Sequence, residues 1–267
     1  MSNAILAALF VLSHLPGPQR DADQAASILN TVAAVYRTAR SCYLEANVTA
    51  EVKSSGFEGK MHSSFVWAVV PPARIRMEVK SMMMEVVIVS DGPNFWQYMP
   101  QSKQYTKKHS EAATITSRGI DSRDYISAKD EYARMMAVAV GVRIPNFEDI
   151  ANGLKEARIL SEEALEFNGS SVDCYVIETV HDSSAAAKDP PFRQTYWIDK
   201  TRFVVLRETH TSMRVGPDPD MAPGFTTTFT TVKINEPITD DLFVFVPPSG
   251  ATEVKDFYGK DQAGKKR

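Results

Sequence analysis

The chain has 267 residues, of which 43% are hydrophobic and 24% are charged, a composition typical of a folded globular protein with a sizeable core. No segment approaches the roughly 18 consecutive apolar residues that a membrane-spanning helix needs. The 30 basic and 33 acidic residues give a net charge of -3, which offers no electrostatic attraction to polyanions and argues against nucleic acid as a ligand.

The first feature along the chain is an apolar run at residues 4–12, followed by the helix-breaking sequence Pro16-Gly17-Pro18. This arrangement has the outline of a secretion signal, although no Lys or Arg precedes the apolar run. Residues 1–20 are therefore predicted to be a signal peptide or a disordered N-terminus. We expect an exported protein that is soluble, since no cysteine at the end of the run offers a lipid anchor.

An amphipathic helix is predicted to begin at Asp23, because an N-capping residue precedes apolar residues at helical spacing. Residues 42–52 then alternate strictly between apolar and polar, which indicates a half-buried strand. The same alternation continues after short turns through residues 61–69 and 75–79. Short turns between alternating strands predict an antiparallel meander. Residues 83–89 are apolar at both odd and even positions, which point to opposite faces of a strand, so we expect that strand to be covered on both faces.

Helical spacing returns at residues 121–141, which predicts a helical insert. Strand patterns resume after it, at residues 157–161, 172–180, 194–199, 203–211, 225–234 and 242–246. The predicted fold class is α+β: a single curved antiparallel sheet of about 10–12 strands forms an open half β-barrel, capped by the N-terminal helix and the inserted helical segment. Residues 21–254 are predicted to form one domain, and residues 255–267 a basic tail.

No residue pattern indicates catalysis, a metal site or a cofactor. The sequence contains no G-x-S-x-G, no H-E-x-x-H and no glycine-rich phosphate loop. The histidines lack the short spacing that metal ligation favours; they are His14, His62, His109, His181 and His210. Asp121 and Asp124 lie where a helix is predicted to begin, and the helix dipole accounts for carboxylates there. We therefore expect a protein without enzymatic activity, metal or cofactor.

The two cysteines, Cys42 and Cys174, leave two alternatives open. They could pair in an oxidising compartment. Each also lies on an apolar strand face, where a free thiol behaves as a small hydrophobic group, and two buried free thiols are the favoured interpretation.

Methionine is concentrated on the early strands and the predicted insert. Seven of the 11 methionines lie there, at Met61, Met77, Met82, Met83, Met84, Met135 and Met136. Thioether side chains repack easily, as adaptable binding surfaces require, although they also fill ordinary gaps between a helix and a sheet.

Two motifs resemble those of the periplasmic lipoprotein-carrier (LolA-like) family. Residues 86–106 contain V-S-D-G at the end of one strand and an aromatic W-x-Y-x-P strand after it. Residues 242–254, L-F-V-F-V-P-P-S-G-A-T-E-V, resemble the family's closing F-x-F-x-P-P-x-G-x-x-V, and Y-W-I-D-K at 196–200 also fits. The resemblance covers residues 21–254. It implies a periplasmic protein with an open β-barrel, an apolar cavity for acyl chains and no catalysis.

One position departs from the family pattern. Where the family has a basic residue just before a proline, this chain reads Val69-Val70-Pro71-Pro72. The hydrogen bonds that latch the family's lid cannot be made by these residues. The resemblance therefore implies a carrier-like protein without implying the dedicated shuttle.

An acyl-binding cavity should be lined by the apolar side of the sheet and by the insert. The predicted sheet residues are Val48, Ala50, Phe65, Trp67, Ile75, Met77, Val86 and Ile88, with Met135 and Met136 as lid contacts. For each residue, ordinary core packing is an equal alternative.

The expected partners are acyl chains of lipids or lipoproteins and membrane-bound donor or acceptor proteins, and we expect a monomer. Two other function classes stay open. One is a regulatory sensor that detects lipoproteins and signals through a partner. The other is a hydrolase acting on lipid or glycan, which would need titratable residues converging in the cavity.

Overall fold

The computed structural model describes residues 18–54, 57–82, 84–109, 146–181, 192–211, 224–255 and 257. Its first element is the helix α1 (Pro18–Arg37). The strands before the predicted insert are β1 (Cys42–Ser54), β2 (Phe57–Val70), β3 (Arg74–Ser81), β4 (Glu85–Asp91), β5 (Asn94–Met99) and β6 (Gln104–His109). Those after it are β7 (Leu154–Phe167), β8 (Ser170–His181), β9 (Phe192–Asp199), β10 (Val205–Thr211), β11 (Gly224–Ile234) and β12 (Thr252–Glu253). The described residues also form two short 3₁₀ helices, η1 (Phe147–Asp149) and η2 (Asp240–Phe243).

All 12 strands belong to one sheet, in the order β12-β6-β5-β4-β3-β2-β1-β11-β10-β9-β8-β7. The strands β1–β6 form one antiparallel meander and β7–β11 a second, and the pairing of β1 with β11 joins them. Only β12 is parallel to its neighbour, β6. Within the described residues β7 and β12 are the two edges, so the sheet does not close. The predicted fold class, an open curved sheet with an N-terminal helix, is confirmed, and the predicted insert at 121–141 lies outside the described residues.

The alternation in β1 separates two faces of the sheet, as predicted. The inner face carries Leu44, Ala46, Val48 and Ala50, each 2% exposed or less. The outer face carries polar side chains such as Glu45, which accepts a hydrogen bond from Thr231 of β11 at 2.8 Å. Helix α1 packs over the inner face, against β7 and η1. Its apolar stripe supplies the same core, with Ile28, Leu29 and Val32 buried.

A C-terminal strap, residues 235–254, crosses the outer face of β3–β6. In η2, Leu242 accepts a hydrogen bond through its carbonyl from the Arg76 guanidinium at 3.1 Å. Phe245 follows, with its ring 5.6–6.1 Å from the rings of Trp96, Tyr98 and Tyr105. The strap ends in β12 on the β6 edge. The prediction that β4 is covered on both faces is thereby confirmed, because Ile88 and Val89 point to opposite faces and are both buried.

The prediction of a strand at residues 242–246 is wrong. The segment alternates because Phe243 faces the sheet while Val244 and Val246 are 54% and 74% exposed. It lies flat on the outer face, so no neighbouring strand pairs with it. Among the described residues, no helix combines the length and the apolar character that crossing a bilayer requires.

Candidate functional site

An apolar cleft of about 50 Å³, open to solvent, lies where α1 ends and β1 begins. Its walls come from the end of α1, the first residues of β1, the last part of β2 and η1. The lining residues are Tyr36, Ala39, Cys42, Leu44, Trp67, Val69, Pro71, Asn146, Phe147 and Glu148. Only Asn146 and Glu148 bring strongly polar side chains.

The register of β1 and β2 explains the floor of the cleft. Cys42 pairs with Val69, and Leu44 pairs with Trp67. Directly opposed residues in an antiparallel pair point to the same face. Two consecutive pairs on the inner face therefore present four apolar side chains side by side. Leu44 and Trp67 are 1% and 4% exposed, and Val69 is only partly buried.

The wall opposite this floor is Phe147, which η1 inserts into the core. Its ring centroid lies 4.9 Å from that of Tyr36 on α1, 5.7 Å from Phe229 on β11 and 6.5 Å from Tyr196 on β9. Phe147 is 4% exposed. A single ring therefore joins α1 to the second meander and closes the inner side of the cleft.

Three hydrogen bonds hold η1 in place. The Arg37 guanidinium at the end of α1 donates to the Glu148 carbonyl oxygen at 2.8 Å. Asp149 accepts from the side-chain amides of Asn146 at 3.0 Å and Asn152 at 2.6 Å. These bonds fix the short helix although no side chain caps it.

The structure brings the predicted sheet residues together on the inner face of β1–β4. Seven are buried, between 1% and 7% exposed: Val48, Ala50, Phe65, Trp67, Ile75, Val86 and Ile88. Met77 is partly buried and packs against the same cluster, opposite Trp67 and Ile88. Trp67 alone of these residues lines the cleft. Met135 and Met136 lie outside the described residues.

Most of the cleft was missed by sequence reasoning. Cys42 and Leu44 belong to the alternation that predicts β1, but nothing in it marks the end of the strand as the open part. Phe147 comes two residues after Pro145, outside any periodic pattern. Its role depends on a contact with α1, 111 residues earlier.

Two titratable groups at the cleft, Cys42 and Tyr36, are held in their neutral forms. Burial, and then the nearby Glu148 charge, raises the pKa of the Cys42 thiol to about 12. Burial also raises the pKa of Tyr36 well above its ordinary value, and its hydroxyl oxygen accepts from the Val205 amide at 3.4 Å. A protonated thiol is a poor nucleophile. The arrangement therefore suits burial of an apolar ligand better than covalent chemistry.

Cys42 and Cys174 are both free thiols in the structure. Cys174 is fully buried, and burial, followed by the Asp199 charge, raises its pKa to about 11. Within the described residues, no group of three or more His, Cys, Asp or Glu side chains could hold a metal ion.

Both thiols should resist alkylation in the native protein. At about pH 8 the thiolate fraction of Cys42 should be about a thousandfold below that of a free thiol, because its pKa moves from 9 to about 12. Mass spectrometry after iodoacetamide treatment should find both cysteines unmodified in the folded protein and modified in urea. The Cys42 thiol loses its proton at a lower pH in the unfolded chain than in the folded protein. The same pKa shift therefore predicts that the free energy of unfolding falls as the pH rises from 9 towards 12. Rapid labelling of folded Cys42 would contradict this assignment.

Comparison with known families gives one match. Residues 25–123 match a family described as "Predicted periplasmic protein (DUF2092)". The match begins within α1, at Ala25, and takes in the first meander, β1–β6. Its description agrees with the predicted periplasmic location. No curated protein matches the chain at a significant level.

Several solved structures are similar over most of the chain, at low identity. LprF from Mycobacterium bovis is 11% identical, with 87% of this chain and 99% of that chain covered and a TM-score of 0.44. The MucA/MucB complex of Pseudomonas aeruginosa is matched at 13% identity, over 83% of this chain and 61% of that chain, with a TM-score of 0.40. A LolA superfamily protein from Nitrosomonas europaea is 12% identical, with 83% and 97% covered and a TM-score of 0.28.

Proposed function

We propose that this protein binds acyl chains of lipids or lipoproteins in the periplasm, without catalysis, and carries them in its apolar cleft. The observation that carries the proposal is the cleft itself. It is open to solvent, and eight of its ten lining residues are aliphatic, aromatic or thiol-bearing.

The energetics of such a site suit reversible carriage. Each methylene moved out of water gains about 0.8 kcal/mol, whether it enters a bilayer or an apolar protein site. Transfer between membrane and protein is then close to balance. A shallow cleft without a strong polar anchor can take up a chain and release it again.

The predicted inner-face residues extend this site along the sheet. Trp67 lies at the inner end of the cleft, and its cross-strand neighbours Met77 and Ile88 continue the apolar row across β3 and β4. We propose that a longer chain follows this row by repacking Met77, which is partly buried and unbranched. Met135 and Met136 stay predictions as lid contacts.

A tryptophan at position 39 should block the cleft. Ala39 lines it and is partly exposed, just beyond the end of α1, so the Ala39→Trp side chain can occupy the cleft without displacing the core. We expect the variant to lose affinity for a fluorescent acyl probe by about tenfold or more, which corresponds to about two lost methylene contacts. Titration with the probe, alongside a thermal melt, measures both binding and folding.

The matched control is Ala34→Trp, the same substitution at an exposed position of α1. It should bind the probe as the unmodified protein does. Equal binding by both variants would remove the cleft as the acyl site. Transfer of a labelled lipid between two vesicle populations then tests carriage; binding without transfer would point to a sensor of acylated ligands.

A further inference from the structure

A second depression, the polar trough, lies on the outer face of the sheet, where β1, β8 and β10 end and β9 and β11 begin. It is open to solvent and has a volume of about 310 Å³, within the roughly 300–1,000 Å³ that small-ligand pockets occupy. It lies on the opposite face from the apolar cleft and at the opposite end of β1. The lining residues are Glu51, Glu178, Arg193, Thr195, Thr209, His210, Gly224, Phe225 and Thr226.

Three threonines from three adjacent strands form the floor of the trough. Thr209 of β10 pairs with Thr195 of β9 on one side and with Thr226 of β11 on the other. Directly opposed residues of antiparallel strands point to the same face, and neighbouring strands lie about 4.8 Å apart. All three threonines are partly buried, and their hydroxyls make no hydrogen bond to any other residue that the structure describes. The row therefore offers three hydroxyls, each a donor and an acceptor, to one small molecule.

The two carboxylates that line the trough both have cationic partners. On β8, Glu178 Oε1 accepts from Arg193 at 3.1 Å and from Arg158 at 2.9 Å. On β1, Glu51 forms an ion pair with Lys60 at 2.7 Å. Both bonds to Glu178 go to Oε1, so its Oε2 keeps its capacity to accept hydrogen bonds. The trough therefore needs no charged ligand to balance it, but it offers hydrogen-bonding groups of both kinds.

From these contacts we propose that the polar trough binds a neutral sugar, either free or as a unit of a glycan. A sugar ring carries several hydroxyls, each of which can donate one hydrogen bond and accept others. These hydroxyls can donate to Glu178 Oε2 and accept from Arg193, and such charge-assisted bonds are stronger than neutral ones. An apolar ligand would instead bury the threonine hydroxyls without partners, which costs free energy.

Gly224 determines how much room the trough has. It opposes Glu51 and comes two residues before Thr226, so a side chain at this position would stand on the outer face, in the trough. A Cβ added at Gly224 would meet no atom within 4 Å. A large side chain at position 224 should therefore fill the trough without displacing the sheet.

The test uses saturation-transfer-difference NMR on the full chain with four neutral probes, the methyl glycosides of glucose, galactose, mannose and N-acetylglucosamine. We expect at least one glycoside to bind, and its titration gives the affinity. Gly224→Trp should weaken that affinity by about tenfold or more, because the indole takes the place of the sugar ring. The matched control is Thr230→Trp, at an exposed position of β11 outside the lining, which should bind as the unmodified protein does.

A second variant removes the hydroxyls and leaves the trough open. The triple variant Thr195→Val, Thr209→Val and Thr226→Val keeps the branched shape of the side chains, which suits a strand. It should bind the glycoside about tenfold more weakly, because several hydrogen bonds are lost. Thr228→Val, on the same face of β11 but outside the lining, is its control and should leave the affinity unchanged. A thermal melt checks folding, and the triple variant decides the outcome if Gly224→Trp does not fold.

Absence of binding by all four glycosides would overturn the sugar proposal and leave the acyl-chain function intact. A glycoside that binds the folded variants of the trough as tightly as the unmodified protein would also overturn it, because its site would then lie elsewhere. Ala39→Trp, which blocks the apolar cleft, should bind the glycoside normally. Loss of binding in that variant would place the sugar in the cleft and contradict the proposal.

Discussion

An alanine in place of Phe229 is expected to lower the free energy of unfolding by about 3–5 kcal/mol, the usual cost of removing a fully buried aromatic ring. Phe229 is 2% exposed on β11. Its ring meets Phe65 of β2 edge-on at 6.1 Å and Phe147 of η1 at 5.7 Å. The truncation therefore leaves a cavity where the sheet and η1 meet.

Urea unfolding followed by far-ultraviolet circular dichroism measures this loss. The matched control is Phe95→Ala on β5, also on the inner face but only partly buried. We expect Phe95→Ala to lower the free energy of unfolding by clearly less, because the Phe95 side chain buries less apolar area on folding. If the two variants unfold at the same urea concentration, Phe229 is not the central contact that the geometry indicates.

The elements with one buried and one exposed face could be predicted from the sequence. In β1 the inner and outer positions alternate without interruption from Cys42, because one face meets the core and the other meets water. The pattern depends only on local spacing, so no knowledge of the partner strands is needed. The same reasoning identifies β2 and β3 and places Phe65, Trp67 and Met77 on one face.

The C-terminal strap misled the same reasoning for a physical reason. A segment lying on a sheet can also bury every second side chain, as Phe243 at the end of η2 and Phe245 after it do. The alternating pattern reports burial on one side and says nothing of backbone pairing. The prolines at 247 and 248 were compatible with either arrangement.

The cleft could not be predicted because its walls meet only in the folded chain. Its floor is a local feature of two paired strands, but Phe147 and Glu148 come from a three-residue helix with no periodicity. Among the predicted lining residues that the structure describes, Trp67 alone is found at the cleft. The Glu148 charge raises the pKa of Cys42 only because folding brings together two residues more than 100 positions apart in the sequence.

The second large effect is expected in the C-terminal strap, where Phe243→Ala should also lower the free energy of unfolding by about 3–5 kcal/mol. Phe243 is 1% exposed, and the Arg74 guanidinium lies over its ring, 5.3 Å from the centroid. Arg74 also forms an ion pair with Asp240 at the start of η2. Losing the ring removes the contact that fixes η2 to β3.

The neighbouring variant Val244→Ala is the control, since Val244 is 54% exposed and sits between the two inward rings. It should change stability by less than about 0.5 kcal/mol. The Phe243→Ala protein should in addition become sensitive to limited proteolysis within residues 235–254, because the strap then opens before the sheet does. Equal effects of the two substitutions would mean that the strap is not held through its inward side chains, and that the β12 pairing alone keeps it on the sheet edge.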